Sequence, residues 1–132
     1  ISSHSQNLNN SALSENWIMK IFKDKADNLW LGTFGKGLNI HSPISSKFFH
    51  ELADQDTEMS AFAQTTDGTI WFSSAQAGLN YITNNSNTGD NIAEQFSPLP
   101  IAINHVSQLF ANEQNELWLI CADNQLFHLA SL

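Results

Sequence analysis

Three carboxylates stand at every second residue in Asp54-Gln55-Asp56-Thr57-Glu58, the spacing with which oxygen ligands open a calcium loop. The stretch lacks a glycine at its sixth position and a distant glutamate to complete the shell, so it reads as an acidic connecting loop. Five histidines (His4, His41, His50, His105 and His128) include no pair at the three- or four-residue spacing of a zinc site. Cys121 is the sole cysteine, which excludes an internal disulfide and leaves the compartment open. It has no local partner and lies in an apolar run, which suits a small buried role better than a nucleophilic one. No Gly-x-Ser-x-Gly elbow is present. Gly32, Gly37 and Gly78 precede no helical pattern whose N-terminus could receive a phosphate, so they read as turn residues. Asn9-Asn10-Ser11 and Asn84-Asn85-Ser86 match the glycosylation sequon, which matters only in a eukaryotic secretory source. The sequence thus predicts no catalytic residue, no metal ligand and no cofactor.

The aromatics remain. Trp30, Trp71 and Trp118 offer faces on which a sugar ring stacks, but each sits between aliphatic neighbours, as a residue packing one sheet on another does. Leu29, Ile70 or Leu117 precedes the tryptophan and Leu31, Phe72 or Leu119 follows it. Eight residues after it comes Leu38, Leu79 or Leu126, and nine before it Ile21, Phe62 or Leu109. Three residues before it stands Asp27, Gly68 or Asn115, all types that accept the positive φ of a tight hairpin. The spacings are 41 (71 minus 30) and 47 (118 minus 71), within the range of about 20–50 residues typical of repeat architectures. Short strands at that period fit a four-stranded propeller blade. Trp17 lies outside the register and is freer to serve another purpose.

The elements needed to hold this pattern are all strands. The first repeat predicts strands over 17–23, 28–33, 38–41 and 47–51, the innermost one wedged between neighbours because both its faces are apolar. The second predicts 59–64, 69–74, 79–83 and 94–96, with Asp67-Gly68 as a hairpin signal and 84–91 as a solvated loop. The third predicts 106–110, 116–121 and 125–129, and its fourth strand is missing. The fold class is all-β: about three four-stranded antiparallel propeller blades, a fragment of a larger propeller. Residues 1–15 read as the end of a preceding blade and a crossover, 16–57 and 58–104 as blades, and 105–132 as a partial blade. Trp30, Trp71, Trp118, Leu38, Leu79 and Leu126 form the predicted repeat core.

A content of 42% hydrophobic residues is enough for a packed core. Five lysines and no arginine against thirteen acidic residues give a net charge of -8. That argues against nucleic acid, whose phosphates need clustered cations, and against an anionic membrane surface. No run approaches the roughly 18 apolar residues of a membrane-spanning helix. The chain has no initiator Met and no signal-peptide pattern, and it reads as a piece of something longer. Propellers carry about four to eight blades, so three would leave open edges prone to self-association, with ring closure in a dimer as one outcome.

The repeat resembles the two-component regulator propeller repeat. Asp24, Asn28-Leu29-Trp30-Leu31-Gly32-Thr33 and Gly37-Leu38-Asn39 match its pattern closely, and Ser11-Ala12-Leu13-Ser14-Glu15-Asn16 resembles its usual lead-in to a blade. The second repeat keeps Asp67-Gly68, Trp71 and Gly78-Leu79-Asn80, with Ser73-Ser74 in place of Gly-Thr. The third keeps Leu117-Trp118-Leu119 and Leu126, with Ile120-Cys121 in place of Gly-Thr and Gln125 in place of Gly. The resemblance implies a non-catalytic, periplasmic sensing segment of a membrane receptor whose output is a histidine kinase, a hybrid kinase–regulator or a diguanylate cyclase. It implies a glycan or another small molecule as ligand. Any link to the membrane would lie in parts of the longer protein outside this chain. The loops joining second and third strands open on the face where a propeller takes ligands, making Phe34, Lys36, Gln76, Asp123 and Asn124 the candidate ligand-binding residues. The alternatives are a segment of a propeller lyase or hydrolase, or of a protein-binding scaffold. The absence of arginine and the single tyrosine, Tyr81, leave little catalytic chemistry for the first of these.

Overall fold

Each of the three predicted hairpins closes on the same residue position. The computed structural model describes residues 1–5, 12–44, 48–51, 58–74, 78–83, 93–95 and 105–130, and in it Asp27, Gly68 and Asn115 have φ of 63°, 91° and 64°. Each donates its amide to the carbonyl three residues back: Asp27 to Asp24 at 3.1 Å, Gly68 to Thr65 at 3.0 Å and Asn115 to Asn112 at 3.2 Å. Asp24, Thr65 and Asn112 in turn donate to the carbonyls of Asn28, Thr69 and Glu116. This is a three-residue hairpin loop with its last position left-handed, which Asp, Gly and Asn adopt at little cost.

The strands that follow are β1 (Ile18–Lys23), β2 (Leu29–Thr33), β3 (Leu38–His41), β4 (Phe48–Glu51), β5 (Met59–Gln64), β6 (Ile70–Ser74), β7 (Gly78–Ile82), β8 (Ala93–Gln95), β9 (Val106–Ala111), β10 (Leu117–Cys121) and β11 (Leu126–Leu129). No helix occurs among the described residues. The sheets run β1-β2-β3-β4, β5-β6-β7-β8 and β11-β10-β9, so the third indeed has three strands among the described residues. The strand bounds differ slightly from expectation: the first begins at Ile18 rather than Trp17, and the outer strand of the second sheet begins at Ala93 rather than Glu94, while Phe96 lies outside the described residues.

The chain divides into two compact units, Ile1–Met59 and Ser60–Leu132. In the first, Trp30 pairs with Phe22 on β1 and Ile40 on β3. Its indole N–H donates to Asp24 Oδ2 at 2.8 Å. Asp24 is buried, and its two oxygens also accept the amides of Ala26 and Asn28 (2.9 Å each) and the Asn28 side chain at 3.0 Å. Leu13 packs on Leu31 and Ile18. Leu13 covers one end of the sheet face, and Ile21 is left 70% exposed.

In the second unit the β9–β10–β11 sheet lies on the β5–β6–β7 sheet. Ala63, Trp71 and Leu79 from one meet Val106, Leu117, Leu119 and Cys121 from the other, all buried. Each such leucine contributes about 1.5–3 kcal/mol through burial. Polar groups in the seam are matched: Ser60 and Ser73 both donate to the Val106 carbonyl, at 2.6 and 3.1 Å. Asn115 Oδ1 accepts the Thr66 amide at 2.9 Å and so ties the turn of the third sheet to that of the second.

Two predicted core residues depart from expectation. Leu126 is 61% exposed, and Trp118 is only half-buried. Their counterparts Leu79 and Trp71 are buried because β9 and β10 cover them, whereas no described residue of the second unit packs on the far side of the third sheet. The anchor differs too. Trp71 donates to Thr65 Oγ1 at 3.3 Å, but Asn112 donates instead to Glu116 Oε2 at 2.6 Å. Trp118 stacks on His128 at 4.0 Å and 15°, and His128 Nε2 lies 3.4 Å from Glu116 Oε1.

Candidate ligand-binding surface

The turn between β2 and β3 is set by Thr33 and Gly37. The Thr33 amide and hydroxyl both donate to the Gly37 carbonyl, at 3.1 and 2.9 Å, while Thr33 Oγ1 accepts the Lys36 amide at 2.8 Å. Gly37 has φ 69°, which completes the reversal. Phe34 and Lys36 are thereby held outward, both exposed.

The lead-in segment straps this turn. Ser14 donates its amide to Asn39 Oδ1 at 2.9 Å, and Asn39 Nδ2 donates back to Ser14 Oγ at 2.7 Å. The Gly35 amide donates to Glu15 Oε2 at 2.9 Å. The Phe34 amide donates to the Trp17 carbonyl at 3.0 Å, and the two rings stack with centroids 4.7 Å apart at 17°. Trp17 is 61% exposed and Phe34 44%. The result is a firmly seated aromatic plate with a lysine ammonium on the same turn. Such a plate offers a flat apolar face and a cation to a ligand that carries C–H faces and oxygen acceptors.

In the second unit, Asp123 and Asn124 are exposed on the turn between β10 and β11. Cys121 donates to the Gln125 carbonyl at 3.0 Å with the same spacing as Thr33 to Gly37. The left-handed residue here is Asn124, φ 64°, one position before the glycine counterpart Gln125. Asp123 Oδ1 accepts the Gln125 amide at 3.2 Å and so stabilises its own turn. Burial pushes the Cys121 thiol up from its ordinary value, and the nearby Asp123 carboxylate adds to this, so the thiol stays protonated and a poor nucleophile. Gln76, the fifth candidate, lies outside the described residues, as do residues 54–57 of the acidic run 54–58.

The structure thus brings Phe34 and Lys36 onto one turn and Asp123 with Asn124 onto another, each within its own unit. Its additions to the site are Trp17 and Glu15, whose contacts with the β2–β3 turn leave no trace in a repeat period. Among the described residues no group of three His, Cys, Asp or Glu could hold a metal ion. His4 and His41 do approach, with ring centroids 6.3 Å apart. No described helix is long and apolar enough to cross a membrane.

Antiparallel sheets that repeat one register, one turn geometry and one tryptophan position are blades of a β-propeller. Residues 12–35, which span the strap, β1, β2 and the start of the plate turn, match the family described as two component regulator propeller. Solved structures agree on the fold. The extracellular domain of the hybrid two component system BT3049 from B. thetaiotaomicron superposes with a TM-score of 0.67 at 19% identity, over 85% of this chain and 16% of that one. Two structures of the extracellular domain of BT4673 from the same organism give TM-scores of 0.66 and 0.65 at 19% and 17% identity. They cover 88% and 95% of this chain and 17% and 16% of theirs. This chain therefore spans about a sixth of the length of these domains. No curated protein matches it.

Proposed function

We propose that this chain is a non-catalytic, ligand-sensing segment of an extracytoplasmic propeller, part of a bacterial receptor that passes the binding event to a kinase or diguanylate cyclase. The observation that carries this reading is the Trp17–Phe34 plate, exposed yet strapped in place within the stretch that matches the regulator propeller family, with Lys36 on the same turn. Its likeness in fold to extracellular domains of two component systems supports the placement outside the cytoplasm. The ligand class that suits a flat aromatic face and a neighbouring ammonium is a glycan bearing hydroxyl or carboxylate oxygens. Loss of one stacking face removes about 0.5–1.5 kcal/mol, or up to about tenfold in affinity.

Binding of neutral and acidic oligosaccharides is tested by titration calorimetry, with tryptophan fluorescence as a second readout. Phe34→Ala weakens binding of every sugar bound, and Lys36→Ala weakens the acidic ones preferentially. Unchanged affinity in the double variant would refute the site. Unchanged signalling in the parent receptor carrying both substitutions would refute the sensing role.

A further inference from the structure

We infer, resting on the proposed sensing role of the strand-entry turns, that His105 is a ligand-binding residue for the hydroxyls of a neutral sugar, acting with Asp123 and Asn124. His105 is where the chain enters β9, and the other two lie on the turn between β10 and β11. A shift of 88 residues (118 minus 30) carries Trp17 onto His105, Phe34 onto Ala122 and Lys36 onto Asn124. The backbone repeats at these positions as well. Ile18 pairs with Thr33 as Val106 does with Cys121. The Ala122 amide donates to the His105 carbonyl at 2.9 Å, as the Phe34 amide does to the Trp17 carbonyl at 3.0 Å. Each inner strand then carries an irregularity at the same place, with Met19 or Ser107 as the extra residue. Bulges of this kind re-aim the side chains beside them. His105 thus stands in the third sheet where the plate tryptophan stands in the first.

Its chemistry differs from that of the plate. Ala122 supplies no ring for stacking, and among the described residues no hydrogen bond, ion pair or ring contact engages the exposed imidazole. The His105 backbone is left-handed, φ 53°, a conformation that glycine adopts without cost. The described fold therefore gives no reason for a histidine there, and a strained residue with an idle side chain beside a loop marks a binding position. An imidazole offers a donor and an acceptor, and so does the Asn124 amide. Asp123 commits Oδ1 to the Gln125 amide at 3.2 Å and keeps Oδ2 as an acceptor. Residues 60–132 contain no lysine or arginine. Donors and acceptors around a carboxylate, without a strong cation, suit vicinal hydroxyls and repel an acidic sugar, the reverse of the preference expected at Lys36.

Titration calorimetry of the full chain with maltotetraose, xylotetraose and mannotetraose, and with tetragalacturonate as the acidic probe, tests this. His105→Gly, which suits the left-handed backbone, lowers affinity for the neutral sugars bound by about fivefold, the equivalent of one hydrogen bond. It does not lower the urea midpoint, and it leaves tetragalacturonate binding unchanged. Glu113→Ala, on the turn at the other end of the third sheet, changes neither affinity nor midpoint. Phe34→Ala separates this site from the plate. Neutral sugars weakened by Phe34→Ala but bound alike by the parent chain and His105→Gly overturn the inference and leave the plate standing. A loss confined to His105→Gly supports His105 and counts against the plate. A parent chain that binds only tetragalacturonate, or none of the probes, overturns the inference. So does an affinity loss accompanied by a lower urea midpoint, which would make His105 structural. An equal loss for tetragalacturonate overturns the preference for neutral sugars.

Discussion

Replacing Asp24 by alanine tests whether the tryptophan anchor holds the first sheet. The carboxylate accepts four N–H groups, two on each oxygen: the Ala26 and Asn28 amides on Oδ1, the Asn28 side chain and the Trp30 indole on Oδ2. Ala26 is exposed and Asn28 half-buried, so three of the donors can turn to water once the carboxylate is gone. Trp30 is 3% exposed and its indole N–H cannot. A buried donor left unmet costs about 1–3 kcal/mol, and losing the remaining bonds to a charged group adds about 1 kcal/mol after resolvation. The expected loss for Asp24→Ala is therefore about 3 kcal/mol, near the upper end for a single substitution. Asp24→Asn is no remedy, because whichever way the amide flips its NH₂ meets a pair of donors. Asp24→Thr copies the second sheet, where Thr65 holds Trp71, and recovers part of the loss. Urea unfolding by tryptophan fluorescence gives the total, and hydrogen exchange at the Leu31 and Thr33 amides locates it in the first sheet. A loss under about 1 kcal/mol for alanine, or a threonine variant no better than alanine, would refute the reasoning.

Two further outcomes follow from the turns. A Cβ at Gly68 meets no atom within 4 Å, so Gly68→Ala is destabilising only through its left-handed backbone (φ 91°), by about 1–2 kcal/mol. Gly68→Asn, which copies Asn115, costs less; equal urea midpoints for the two variants would show that backbone preference is not what matters there. For Asp67, burial by itself would raise the carboxyl, but hydrogen bonds from Thr65, Thr69 and Asn115 outweigh it and hold it below its ordinary value of 3.8. A depressed folded-state value means the stabilisation is present above the unfolded value and is lost as pH falls through the folded one. The stability gap between the parent chain and Asp67→Asn is thus widest near neutral pH and closes below about pH 4. A gap constant with pH would assign the role of Asp67 to packing.

The turns were the most legible part of the chain. Asp27, Gly68 and Asn115 are recognisable because few residue types tolerate their backbone, and tolerance is a local property. In the last turn Gln125 aligns with Gly37, but Asn124 takes the left-handed position. Asparagine next to the expected glycine was the available signal. Burial was less legible. Leu126 and Leu79 are identical in type and register, and only what lies over the sheet separates 61% exposure from 2%. Phe34 and Lys36 stand exposed at the loop position that drew attention to them. Their partner Trp17 was visible only as an aromatic outside the register, because a contact between a lead-in and a turn has no period.

The drift of the anchor from Asp24 to Thr65 to Asn112 says how such a repeat diverges without losing its fold. The hairpin is closed by backbone hydrogen bonds that all three residues form alike, so the turn survives any of them. The side chain's second task, holding the indole, is what varies. Aspartate holds Trp30 at 2.8 Å, threonine holds Trp71 at 3.3 Å, and asparagine is drawn to Glu116 and leaves Trp118 to stack on His128. Release of the indole goes with a half-buried tryptophan, and retention with a buried one.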